Sequence, residues 1–308
     1  MFPFSGGYNP PLNGSEPTAH ACLLKASFEK GDKMHIIDAH CHIYPDAIAE
    51  KAVHGIDTFY DGLPGEHFGG TAEDLLNRGL EDGVEHFIVF SVATKASQVR
   101  SINEFIRHCV DGAQGRFTGL GTLHLDSENQ EADLDHLVEL GLKGVKLHPD
   151  VQDFYIDEPR AMHIYEMCED RGLPVYVHTG DHRYDRSNPD RTVNVLKAFP
   201  KLKFVGPHFG GWSVWKDALR MLPDYPNITV DTSSSLFWMD DDFAREIIRA
   251  YGAERVMFGT DYPMWRHSSE LERFAHFDLT DTEMESIMWK TCAKLLGIED
   301  KFTANGSV

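Results

Sequence analysis

The chain has 308 residues, of which 42% are hydrophobic and 25% charged, a balance that supports a sizeable buried core and excludes a disordered or fibrous chain. With 29 Lys+Arg against 49 Asp+Glu the formal charge is −20, which repels phosphate backbones and anionic lipid surfaces, so nucleic acid is not an expected partner. No apolar run approaches the roughly 20 residues of a membrane span and no leader pattern opens the sequence; a cytoplasmic protein that does not engage membranes is the expectation.

In chain order, residues 1–33 are rich in Gly, Pro, Ser and Asn without a sustained period and read as an N-terminal extension. From Met34 short apolar runs alternate with longer segments of helical period, the pattern of βα units on a parallel sheet. Strands are predicted over 35–42, 86–93, 117–125, 142–148, 174–180, 203–210, 228–233 and 256–262. Helices are predicted over 72–80, 98–110, 131–140, 160–171, 192–199, 214–222, 242–251 and 281–296. Eight of each close a TIM (βα)8 barrel of the α/β class, expected over 34–300 with a short tail at 301–308. The connection after the first strand is longer than one helix needs, contains GLPGEHFGG and is expected to cover the barrel mouth. A doubly wound open sheet is the alternative, but no G-x-G-x-x-G follows a predicted strand. The five cysteines are widely spaced, lack a C-x-x-C pair and read as free thiols.

In such barrels the working residues stand at the C-terminal ends of the strands. The first predicted strand ends in His40 and His42, the fourth carries Lys146 and His148, the fifth ends in His178, the sixth in His208 and the eighth in Asp261. The i, i+2 spacing of His40 and His42 sends both imidazoles to one face of their strand. With 17 histidines about one H-x-H pair arises by chance, so the weight lies in placement, with polar groups from other strand ends facing the same mouth.

The motifs IDAHCHIYP (37–45), GVKLHP (144–149), VYVHTGD (175–181), PHFGG (207–211) and FGTDYP (258–263) resemble, in order, those of the amidohydrolase superfamily, in the branch that includes aminocarboxymuconate-semialdehyde decarboxylase and many metal-dependent hydrolases. The resemblance implies that His40, His42, His178 and Asp261 ligate one divalent metal ion, with Zn2+ the expected ion, and that His208 is the unliganded catalytic histidine. Direct ligation by His208 stays open. Imidazoles and one carboxylate suit Zn2+, which lowers the pKa of bound water to about 7. Asp261 and His208 are then the expected catalytic pair, moving the proton of an activated water that attacks an electrophilic carbon.

The reaction expected first is hydrolysis of a small-molecule amide, lactone or ester; the alternative is metal-dependent non-oxidative decarboxylation of an unsaturated or aromatic acid. Lys146 and His148 share a face and are expected to touch substrate, Lys146 as an ordinary amine; in binuclear members of the superfamily a lysine in this place is carboxylated and bridges two metals. Arg183, in the loop GDHRYDRSNPDR with Arg186 and Arg191, offers a fork for a substrate carboxylate, or pairs with aspartates of its own loop. Trp212 and Trp265, with Trp215 and Trp238, fall after late strands and are expected on an aromatic rim. A homo-oligomer is compatible with all of this, but no motif encodes its symmetry.

Overall fold

The computed structural model describes residues 34–62, 65 and 67–302. The expectations for residues 1–33 and for most of the tail lie outside them. The strands are β1 (Ile37–His42), β2 (His86–Phe90), β3 (Phe117–Gly119), β4 (Gly121–Thr122), β5 (Val145–Leu147), β6 (Val175–Val177), β7 (Phe204–Gly206), β8 (Ile228–Asp231) and β9 (Val256–Met257). All pair in parallel, in the orders β1-β2-β3 and β4-β5-β6-β7-β8-β9.

The third predicted strand is broken at Leu120 into β3 and β4, so eight staves are assigned as nine strands. Leu120 N still donates to Val89 O at 3.0 Å and Lys143 N to Gly119 O at 2.9 Å, which carries the wall across the break. Gly121 sits where a Cβ would lie 2.3 Å from Leu137 Cδ1, so only glycine lets this stave approach its covering helix. The barrel closes through the Cys41–Tyr262 bridge, with Ala39 N donating to Phe258 O at 2.9 Å and Asp261 N to His40 O at 3.0 Å.

Between the strands run α1 (Ala49–Phe59), α2 (Ala72–Glu81), α3 (Val99–Gly112), α4 (Gln130–Glu139), α5 (Pro149–Gln152), α6 (Pro159–Asp170), α7 (Pro189–Ala198), α8 (Trp215–Met221), α9 (Asp241–Tyr251) and α10 (His267–Phe274). The last predicted helix is α11 (Asp281–Glu285), a π turn (Ser286–Lys290) and α12 (Thr291–Leu296). Helices α1, α5 and α10 have no counterpart in the sequence-based elements. The tail expected from residue 301 begins inside a 3-10 turn (Glu299–Phe302), whose Phe302 ring stands edge-on to His35 and His86.

Two apolar clusters result. One, including Phe87, Val145, Val177 and Phe204, lies between barrel and helices; the other fills the lumen with Ile37, Ala39, Phe90, Tyr176 and Met257, and is continued by Ala293 and Leu296 of α12. In β1 the two clusters expose a change of parity. Ile37 and Ala39 face the lumen, Cys41 and Ile43 face the helices, and the pairing with β2 shifts register between Asp38 and Cys41. That bulge turns His40 and His42 inward; uninterrupted alternation from Ile37 would send them outward.

Candidate active site

At the mouth of the lumen the donor atoms of the first and last staves converge. His40 Nε2 lies 3.3 Å from His42 Nε2 and 3.3 Å from Asp261 Oδ1, and His42 Nε2 lies 3.5 Å from the same oxygen. A tetrahedral ion with bonds of about 2.0–2.1 Å separates its ligands by about 3.3–3.4 Å. These three atoms therefore have the spacing of one divalent cation's coordination edges, with no main-chain rearrangement required.

His40 is aimed by a buried carboxylate. Its Nδ1–H donates to Asp231 Oδ2 at 2.9 Å, both side chains being fully buried, which leaves Nε2 as the lone-pair nitrogen toward the cluster. Asp231 also accepts from His208 N at 3.0 Å and from the Ser233 hydroxyl. His208 donates from Nδ1 to Ser233 O at 2.9 Å, and its Nε2 stands 3.0 Å from His178 Nδ1. His40, His208 and Asp261 each bring a donor atom within 4.8 Å of the others. His178 is joined to this group through His208; its own Nε2 lies 3.2 Å from Gly180 O and 4.0 Å from Asp150 Oδ2.

His208 and Asp261 have left-handed backbone, with φ of 61° and 65°, as does Ser234 at 47°. These costly conformations, on residues that end staves, swing the side chains over the lumen. Ser234 Oγ donates to Asp261 Oδ2 at 2.5 Å and accepts from Trp265 Nε1 at 2.8 Å.

Burial dominates the electrostatics. It lowers His40, His42, His148 and His178 well below the ordinary imidazole range, with Lys146 adding to the effect on each, and it brings His208 to about 4. Neutral imidazoles are the form that ligates a metal. Burial raises the Asp261 carboxyl to about 7 against the opposing Ser234 hydrogen bond and Lys146 charge; a cation between these ligands would pull it down again. Burial also lowers Lys146 to about 8, while Asp261 and Asp231 hold it up.

Above the cluster lies a cavity of about 290 Å³. Ile56, Phe59, Val92, Trp212, Pro263 and Met264 give it an apolar wall, and His42, His178, His208 and Asp261 give it a polar floor. Helix α1 forms much of the cover, as the long first connection leads one to expect. Tyr60, just after it, donates from its hydroxyl to His148 Nε2 at 3.2 Å, and the His148 ring stacks on His178 with centroids 4.0 Å apart.

The residues singled out from sequence divide accordingly. His40, His42 and Asp261 meet; His148 and Trp212 line the cavity. Lys146 is not in the cavity wall: it is buried beneath it, with Nζ 3.2 Å from His40 Nε2 and 4.8 Å from the centre of the Phe90 ring. Trp265 does not line the cavity either, being 2% exposed, stacked on Phe237 and hydrogen-bonded to Ser234. Arg183 lies behind the wall, bonded to Asp181 of its own loop through Nε (3.0 Å) and Nη2 (2.7 Å) and to Phe59 O through Nη1 (2.7 Å). Trp215 donates to His208 O at 3.0 Å and braces that turn. The sequence reading passes over Asp231, although it lies near the end of the seventh predicted strand and closes β8, and over Tyr60, just past a helix with no assigned segment.

Comparison with known proteins agrees with this geometry. The amidohydrolase family profile matches residues 37–298. The chain is 25% identical over 198 residues to 2-amino-3-carboxymuconate-6-semialdehyde decarboxylase of Dictyostelium discoideum, covering 53% of this chain and 55% of that protein. It is 24% identical over 258 residues to the Caenorhabditis elegans enzyme of the same name, covering 68% and 62%. The chain thus spans a little over half the length of these curated relatives. In fold it is similar to 5-carboxyvanillate decarboxylase of Sphingomonas paucimobilis, with a TM-score of 0.68 at 16% identity over 86% of this chain and 99% of that one. Since the profile runs from the first residue of β1 to just beyond α12, taking in every stave that contributes to the mouth, this chain belongs to the amidohydrolase family.

Proposed function

We propose that the protein is a divalent-metal-dependent carboxy-lyase that releases CO2 from a small aromatic or unsaturated carboxylic acid. This reverses the order of the sequence-based expectations, which put hydrolysis first. The observation that carries the reading is the division of the cavity into a polar floor and an apolar wall. A flat acid buries its ring against Phe59, Trp212 and Met264 and turns its carboxylate to the floor. An amide or lactone would leave a second polar fragment against carbon. Both curated relatives are named as decarboxylases, which supports the same choice.

In this reading His40, His42 and Asp261 would hold the ion, with His178, beside His208, as the fourth ligand, and Zn2+ is the proposed ion. When bound it supplies positive charge for the substrate carboxylate and a neighbouring oxygen. Asp231 keeps His40 in the ligating tautomer. Asp261 takes up a proton from solvent and passes it to the carbon that loses CO2; the C–C bond breaks, its electron pair returns to the ring, and Asp261 is left ionised as before. His208, with Nδ1–H held by Ser233, keeps Nε2 available as the second proton-handling group. Trp212 and His148 position the ring; Lys146, from beneath, sets the charge of the floor rather than touching the substrate.

The test is to load the protein with Zn2+, supply single-ring aromatic acids, lactones and amides, and measure CO2 and products. The expected result is CO2 with the matching decarboxylated ring, lost on chelation. Hydrolysed lactone or amide with no CO2 from any acid would overturn the proposal and restore hydrolysis.

A further inference from the structure

We infer that the cavity accepts acids with a single carboxylate and excludes aromatic dicarboxylates, an inference that rests on the decarboxylase reading of the floor. Among the described residues that line the cavity there is no Lys or Arg. The two cations nearby are already committed. Lys146 lies beneath the floor against His40 and Phe90, outside the wall. The Arg183 guanidinium is on the far side of the aromatic wall, 5.0 Å from the Tyr60 ring centre and 5.8 Å from that of Trp212, and its fork is bonded to Asp181 and to the Phe59 carbonyl.

Asp261 is in the floor, and behind the wall Asp181 is already paired with Arg183, so neither offers a second carboxylate a partner. The first carboxylate of a substrate would have the cation held at the floor for countercharge. A second, elsewhere on the ring, meets Ile56, Val92, Phe59 or Met264, or the uncharged polar groups of Tyr44, Tyr60, Thr94 and His148, none of which brings a countercharge. Burying an unpaired charge in such a place is strongly unfavourable, and no apolar contact of the same ring repays it. By this argument 5-carboxyvanillate, a dicarboxylate for which one structural neighbour is named, is a poor ligand here.

The experiment uses the full chain loaded with Zn2+ and three ligands on one ring: salicylate, the same ring with a second carboxylate, and the same ring with a carboxamide in that position. Binding is read by calorimetry and by quenching of tryptophan fluorescence, and CO2 release is read separately. The expected result is that the dicarboxylate binds at least about 100-fold more weakly than salicylate, while the carboxamide, of equal size, stays within about tenfold of it. A dicarboxylate that binds as tightly as the carboxamide overturns the inference, because a cation then reaches the cavity. A carboxamide as weak as the dicarboxylate also overturns it, because size rather than charge is excluded. Selective binding of the monoacids without CO2 from any of them removes the decarboxylase reading and leaves the charge selectivity standing; no binding of salicylate removes both.

Discussion

The hydrogen bond from His40 Nδ1 to Asp231 is the contact on which the metal-facing nitrogen depends. Replacing Asp231 by Asn keeps the volume but removes the charge that favours this tautomer, so metal affinity should fall about 10–100-fold in a chelator competition, with the fold retained by circular dichroism. Unchanged affinity would show that the tautomer is set elsewhere. Asp261→Asn addresses the chemistry itself. Asparagine tolerates the left-handed backbone that Asp261 adopts, so the loss is not one of strain. Turnover should drop by at least about 10²-fold, and near-normal activity would take Asp261 out of the reaction.

At the scale of elements, the cover helix α1 is held by a residue from a different βα unit. Arg183 joins the Phe59 carbonyl at the C-terminal end of α1 to Asp181 in the loop after β6. Arginine can do both at once because its donors lie in a fixed fork, which lysine lacks. In Arg183→Lys the charge beside Asp181 remains while the second bond is lost, so amide exchange should quicken across Ala49–Phe59 and KM should rise several-fold, with exchange in β6 unaffected. Equal exchange in α1 would mean that the helix is held by its apolar face alone. The β1 bulge belongs to this scale too. A stretch reading IDAHCH has the i, i+2 spacing in plain view, but whether that pair points into the barrel is decided by pairing with β2, which no local pattern records.

For the whole molecule, two buried groups away from the mouth set opposite limits on stability against pH. Glu270 in α10 has no hydrogen-bond partner for either oxygen among the described residues, and burial raises it to about 8 from 4.5, opposed by Arg273. Its folded form binds the proton more tightly than the unfolded chain, so its stabilising effect is complete below about pH 4.5 and is lost as pH rises to 8. Burial lowers His86 to about 3 from 6.5, so its contribution is present above 6.5 and is lost as pH falls toward 3. Glu270→Gln removes the alkaline limb: in thermal melts between pH 5 and 9 the wild-type Tm should decline relative to the variant by roughly 5 °C or more. Parallel profiles would show that Glu270 ionises without penalty. Elemental analysis should give one metal per chain; two would mean that Lys146 is carboxylated and bridges a pair.

The order of apolar runs was enough to point to the barrel, and the motifs that close its strands to the family by resemblance, because strand period and strand-end position are local properties of the chain. Helix α1 escaped because its apolar face is completed only by the barrel mouth beneath it. What a side chain does once it arrives was settled by tertiary structure. Arg183 spends its fork on Asp181 and Phe59, Trp265 turns to Ser234, Lys146 sinks below the floor, and Asp231 takes hold of His40. Each outcome depends on partners from other staves, and so does the absence of a cation from the described cavity wall. Hydrogen-bond commitment and the charge lining a space are sums over distant segments, so they exist only once the chain has closed on itself.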